Sequence, residues 1–167
     1  VENALDAGAD RISIEIENGG RALIQVADNG LGMGRDDALL ALERFATSKL
    51  HTNEDLAAIR TLGFRGEALP SIAAVSKLTL TTREAQADSG VQVRIEGGKI
   101  LQVSETGAAQ GTLIQVAQLF FNTPARRKFL KSTATEMAHI ADTVAGMALG
   151  YPLVHFKLLP NAQMVKQ

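Results

Sequence analysis

The sequence predicts a two-layer α+β sandwich, in which a mainly antiparallel (mixed) sheet carries its helices on one face. Three observations lead there. Ile12, Ile14 and Ile16 alternate strictly with Ser13, Glu15 and Glu17, the pattern of a strand with one buried face. The segments Lys77 to Arg83, Val91 to Glu96, Lys99 to Ser104 and Thr112 to Ala117 are rich in Val, Ile, Leu and Thr. Finally, Gly97-Gly98 is a strong hairpin signal between two of these segments.

The elements follow in order. Val1 and Leu5 lie one helical turn apart, Asn3 and Asp6 share another face, and Gly8 terminates the helix. Asn18-Gly19-Gly20 turns the first strand, Arg11 to Glu17, into a partner strand, Ala22 to Ala27, which delivers Asp28. Asp36 or Asp37 starts a helix through Phe45, with Leu39, Leu42 and Phe45 at helical spacing. Ala46 to Asn53 is small and polar, and Asn53 starts a short helix, Glu54 to Arg60. The loop Thr61 to Leu69 enters a helix continuing to Val75, with Pro70 in the first turn, where a missing amide costs little. After the strands, Thr123 caps a helix with Pro124 at its first position. A capping box, Thr133-Ala134-Thr135-Glu136, opens a longer helix to Leu149 with Met137, Ile140, Val144 and Met147 as its buried stripe. Gly150 and Pro152 end it, and Leu153 to Leu159 is a further strand, expected to open a second subdomain.

The chain has 167 residues, 46% hydrophobic and 21% charged, enough apolar material for the core of one ordinary domain. It contains no apolar run long enough to cross a bilayer and no charged-then-apolar leader, so neither membrane insertion nor secretion is expected. Without cysteine there are no disulfides or the usual zinc frameworks, which is compatible with a reducing cytoplasm. A formal charge of −1 argues against an all-over electrostatic grip on nucleic acid. The sequence opens at Val1 inside a helical pattern and closes at Gln167 inside a strand pattern, so it reads as an internal segment of a longer protein.

The chemistry is expected around Ala27 to Met33. A carboxylate at Asp28, held at the mouth of a cleft, accepts hydrogen bonds from an exocyclic amine such as that of adenine. Gly30 and Gly32 let the backbone pass close to a flat ring. The competing reading is that Asp-Asn-Gly simply closes a tight turn. Gly63 to Glu67 has the form of a phosphate site, with backbone amides at a helix start aimed at an anion, or else of a plain helix cap. Glu67 fits either a polar role there or a favourable interaction with its own helix dipole. The amide oxygen of Asn3 is a hard donor suited to magnesium, although a surface asparagine is the plainer reading. Arg44 to Leu62 would then form a lid, hinged near Thr47, Ser48 and Lys49. Arg126, Arg127, Lys128 and Lys131 form the dense basic cluster, which suits DNA phosphates, closure toward the nucleotide, or a solvated helix face. His51, His139 and His155 have no ligand spacing.

Taken together, Glu2-Asn3-Ala4-Leu5-Asp6-Ala7, Asp28 to Met33, Ala46 to Lys49, Gly63 to Leu69, Gly111-Thr112 and Phe121 to Leu130 resemble the successive signatures of the MutL-type mismatch-repair ATPases. That family stands beside gyrase, the ninety-kilodalton heat-shock chaperone and histidine kinases. The resemblance implies a Bergerat-type ATP-binding fold over residues 1–150, lacking its N-terminal part, with 151–167 starting an incomplete second subdomain. It assigns Asn3 to magnesium, Asp28 to adenine, Gly30, Gly32 and Met33 to the base, Thr47, Ser48 and Lys49 to the lid, Gly63, Phe64, Arg65 and Gly66 to the phosphates, and Thr112 to support of the adenine contact.

The implied reaction is slow ATP hydrolysis with magnesium, by attack of a water on the γ-phosphate. The general-base glutamate of the family lies one turn before Asn3, upstream of Val1. Glu2, adjacent to Asn3 on another side of the helix, does not replace it, so this segment alone is expected to be inactive. The implied setting is a homodimer or paralogue heterodimer working with mismatch-recognition and other repair proteins and DNA. It would be cytoplasmic and nucleoid-associated in a bacterium, nuclear in a eukaryote. The alternatives are the ATP domain of a topoisomerase or kinase relative, and a nucleotide-independent DNA or protein interaction module using Pro124 to Lys131.

Overall fold

A computed structural model describes residues 1–43 and 67–161. Seven strands form one sheet in the order β5-β4-β3-β6-β2-β1-β7. They are β1 (Arg11–Glu17), β2 (Leu23–Asp28), β3 (Lys77–Arg83), β4 (Gly90–Glu96), β5 (Lys99–Thr106), β6 (Gly111–Ala117) and β7 (His155–Pro160). The helices are α1 (Glu2–Asp6), α2 (Arg35–Leu40), α3 (Ala68–Ala74), α4 (Pro124–Lys128) and α5 (Thr133–Gly150).

Every pairing is antiparallel except that of β1 with β7, so the sheet is mixed. The strand expected to open a second subdomain is therefore the parallel edge strand of this sheet. Its pairing partner lies far back in the chain, and no local pattern marks it.

The register explains why the helices share a face. Ile14 pairs with Val26, Val26 with Ile114, Ile114 with Leu80, and Leu80 with Val93, one apolar row across five strands. Leu78, Leu80 and Val93, together with Ala38 of α2 and Ala73 of α3, form one buried cluster. Ile12, Ile14 and Ile16 form a second with Ala4 of α1 and Val144 of α5. Ile24 packs against both. Full burial of each such leucine, isoleucine or valine stabilises the fold by roughly 1.5–3 kcal/mol. Residues in the alternate register, such as Ser13, Gln25, Gln115 and Thr79, make up the polar opposite face.

Helix starts depart from expectation in three places. Gly34 precedes α2, so Asp36 and Asp37 stand in its first turn, where their charge faces the positive end of the helix, rather than at its cap. Thr123 occupies the cap position of α4 but its side chain makes no cap bond, and its buried hydroxyl has no hydrogen-bond partner among the described residues. For α5 the cap is Ser132, whose Oγ accepts from the Thr135 amide, while Glu136 accepts from the Lys131 amide. Thr133 is diverted because its hydroxyl donates to Asn18 Oδ1 at 2.8 Å, tying the helix to the turn between β1 and β2. Val144 of the expected α5 stripe is buried, with Met137 and Ile140 packed beside it.

Gly97 and Gly98, both at positive φ, make the predicted β4–β5 hairpin. α2 ends at Leu40, short of the expected Phe45, because Ala41 caps it and Leu42 and Glu43 continue as a turn and a bend; Arg44 and Phe45, the Glu54 to Arg60 helix and the loop as far as Gly66 lie outside the described residues.

Candidate nucleotide site

β2 ends at Asp28, which pairs in register with Ile12 of β1 on one side and Thr112 of β6 on the other. The loop that follows is built by its own polar groups. Gly30 donates its amide to Asp28 Oδ1 at 2.9 Å, so the tight-turn reading of Asp-Asn-Gly holds as an Asx turn. Asn29 Oδ1 accepts the amides of Asp10 and Arg11, which fastens the loop to the start of β1. Leu31 donates its amide to the carbonyl of Ala7, at the end of α1.

The glycines are demanded by the protein itself. A Cβ on Gly30 would lie 2.8 Å from the Ala7 oxygen, and one on Gly32, at φ +71°, would overlap the Arg83 carbonyl. Their lack of a side chain lets the loop nest between α1 and the end of β3.

The turn does not exhaust Asp28. The Thr112 amide also donates to Oδ1, at 3.3 Å, and no described residue donates to Oδ2. Burial pushes the carboxyl above its ordinary pKa, against the opposing pull of the two amides. Thr112 turns its hydroxyl to Thr82, 3.0 Å away. Thr82, on β3 and 1% exposed, also donates to the Gly111 carbonyl and accepts the Met33 amide, each at 2.9 Å. Thr82 was not among the residues singled out from the sequence. A signal was present: alternation puts it on the face of Leu78 and Leu80, where a polar side chain needs partners.

Of the expected site residues, Asn3 lies in α1 one turn before Ala7, on the stripe that meets the Gly30 loop. Asp28, Gly30, Gly32, Met33 and Thr112 converge through the bonds above, although the Met33 side chain packs against the core. A cavity of about 270 Å³ lies between Asp6 to Gly8, Asn29 to Leu31 and Gln110, whose Nε2 donates to the Gly30 carbonyl. The end of α1 and the loop after Asp28 therefore share a concavity, which Gly30 lines and which Asn3, Asp28 and Thr112 do not. Thr47, Ser48, Lys49, Gly63, Phe64, Arg65 and Gly66 lie outside the described residues. Glu67 stands at the cap position of α3 without a side-chain cap bond. Arg126, Arg127 and Lys128 are exposed on α4, and Lys131 follows. They leave the Ala117 end of β6, about 17 Å of strand from Thr112. Among the described residues there is no cluster of His, Cys, Asp and Glu fit to cage a metal, and no helix long and apolar enough to cross a membrane.

A carboxylate at a strand end, glycines nested on a helix and a threonine pair behind them agree with what the sequence matches. Residues 1–117 fit the family described as "Histidine kinase-, DNA gyrase B-, and HSP90-like ATPase", and the chain belongs to that family, to which nucleotide binding is general. Within it, the likeness is to MutL. The chain is 58% identical over 163 residues to the DNA mismatch repair protein MutL of Geobacter sulfurreducens, covering 98% of the chain and 27% of that protein. It is 54% identical over 165 residues to the MutL of Syntrophotalea carbinolica, covering 99% and 26%. The chain thus spans about a quarter of the length of these relatives.

Among solved structures, the Aquifex aeolicus MutL ATPase domain complexed with ADP superposes with a TM-score of 0.76 at 34% identity, over 96% of this chain and 56% of that one. The N-terminal domain of a DNA repair protein gives 0.77 at 27% identity, over 95% and 45%. These likenesses favour MutL over the topoisomerase and kinase cousins, and over a nucleotide-independent module.

Proposed function

We propose that these residues bind ATP with magnesium as the nucleotide-sensing part of a DNA mismatch-repair protein. The observation that carries the reading is Asp28: two amides pin its Oδ1, while Oδ2 is left to accept from the exocyclic amine of adenine. A charged acceptor in a half-buried setting makes a strong bond to such an amine. Asn3, one turn before the residue that anchors the Gly30 loop, holds the metal through its amide oxygen. One protein donor suffices for magnesium, which keeps several waters and takes phosphates as its other ligands, and this suits the lack of a metal-caging cluster among the described residues. When bound, magnesium neutralises charge on the phosphates. In this reading Gly63 to Gly66 receive the phosphates, and Thr47 to Lys49 close over them.

Hydrolysis belongs to the full-length protein. Its general base comes from outside residues 1–167, since Glu2 sits beside Asn3 and points to another side of α1, and the isolated segment is without turnover. ATP binding switches dimerisation and contacts with repair proteins in the cytoplasm. The basic run Arg126, Arg127, Lys128 and Lys131, at the far end of the sheet from Asp28, meets DNA phosphates. Residues 151–167 lead toward a second subdomain by way of the sheet's edge strand.

The test is binding of a fluorescent non-hydrolysable ATP analogue to the full-length protein, with and without magnesium. Asp28→Ala is expected to weaken binding about 10- to 100-fold, the loss of one charge-assisted hydrogen bond. Unchanged binding in that variant, or none in the wild type, overturns the reading.

A further inference from the structure

We propose that Thr82, which does not reach the nucleotide, is the positioning residue that makes the floor of the site select an amino-bearing purine; this rests on the ATP reading above. The argument is a count of hydrogens. A threonine hydroxyl has one hydrogen and two lone pairs. Thr82 Oγ1 has three partners: the Met33 amide, which can only donate; the Gly111 carbonyl, which can only accept; and the Thr112 hydroxyl. Its one hydrogen goes to Gly111 and one lone pair to Met33. The remaining lone pair therefore takes the hydrogen of Thr112.

Thr112 has by then given away both of its donors, its amide to Asp28 and its hydroxyl to Thr82. What remains on Thr112 Oγ1 and Asp28 Oδ2 is acceptor capacity alone. Such a floor receives the two hydrogens of a 6-amino group and opposes a 6-keto oxygen, because facing acceptors leave a buried polar pair unsatisfied. Burial keeps the network in this arrangement, since at 1% exposure no bulk water replaces a missing partner of Thr82.

The experiment compares non-hydrolysable adenosine and inosine triphosphate analogues on the full-length protein, in wild type, Thr82→Val and Thr82→Ser, with Asp28→Ala as control. In Thr82→Val the Thr112 hydroxyl is released to donate to a keto oxygen, so the adenosine-to-inosine affinity ratio falls by about tenfold. Thr82→Ser, which keeps the hydroxyl, retains the wild-type ratio. Thr82→Ala removes the same oxygen and is read in the same way if the valine variant does not fold. An unchanged ratio, with both nucleotides weakened equally, reduces Thr82 to a structural part and overturns the inference while the ATP reading stands. Failure of the wild type to bind either nucleotide overturns both.

Discussion

The hydroxyls of Thr82 and Thr112, on the neighbouring strands β3 and β6, lie 3.0 Å apart in register, and one of the two also holds the backbone on both sides of the site. Removing that hydroxyl should be felt in stability as well as in specificity. Thr82→Val leaves the Met33 amide and the Gly111 carbonyl without this partner, and a loss of roughly 1–3 kcal/mol is expected in urea unfolding. Thr82→Ser should lose less, because only a methyl group is removed.

Asp28 ties stability to pH in the reverse of the usual carboxylate sense. Its folded pKa is raised, so the folded protein holds a proton that the unfolded chain has already released. Stability from this group therefore falls as pH rises from the ordinary aspartate value through the raised one. Acceptance of an adenine amine needs the charged form, so nucleotide affinity should rise across the same window. Asp28→Asn, neutral throughout, is expected to melt higher than wild type near neutral pH, with the difference shrinking toward about pH 4. Thermal melts across that range check the sign, and a wild type that gains stability relative to the variant on alkalinisation contradicts it.

The glycines are graded by what surrounds them. Gly32→Ala meets the Arg83 backbone at positive φ and should lose at least about 2 kcal/mol. Gly8→Ala has a similar φ but open space around it, and should lose only about 1 kcal/mol. Equal losses in chemical denaturation would show that φ strain, and not the close approach of the loop to β3, sets the requirement.

Arg21 governs the basic segment. Its Nη2 donates to the carbonyls of Leu130 and Lys131, bridging the turn after β1 to the link between α4 and α5. Arg21→Ala should cost about 1–3 kcal/mol, since those carbonyls lose a charged donor. Trypsin should also cut the Arg126 to Lys131 run faster in this variant at temperatures where the sheet remains folded, which limited proteolysis followed by mass spectrometry resolves.

The sheet was largely legible because its faces alternate cleanly: β1 and β3 match the expected bounds, and β4 and β6 differ only by a glycine at the start. Asp28 stood out because an acid ends an apolar run and is followed by glycines. What escaped was non-local. The place of β7 depends on a parallel partner in β1, the cap of α5 on a bond from Thr133 to Asn18, and the use of Thr82 on Met33 and the adjacent pair Gly111-Thr112, all distant from it in the chain. The expected roles of Gly30 and Gly32 were tied to a ring, whereas a backbone neighbour already requires each of them.

Ile24 touches both apolar clusters, one built around β1 and the other around β3 and β4. Asn3 belongs to the first half and Thr82 to the second, while Asp28 sits on the very strand that carries Ile24. A molecule held by Asn3 and Asp28, on the floor that Thr82 supports from behind, would tie the two halves together beside Ile24, which their apolar clusters share. Its arrival should make the two melt as one, so that a mutation thinning this shared packing, such as Ile24→Ala, splits the transition of the empty protein and spares that of the loaded one.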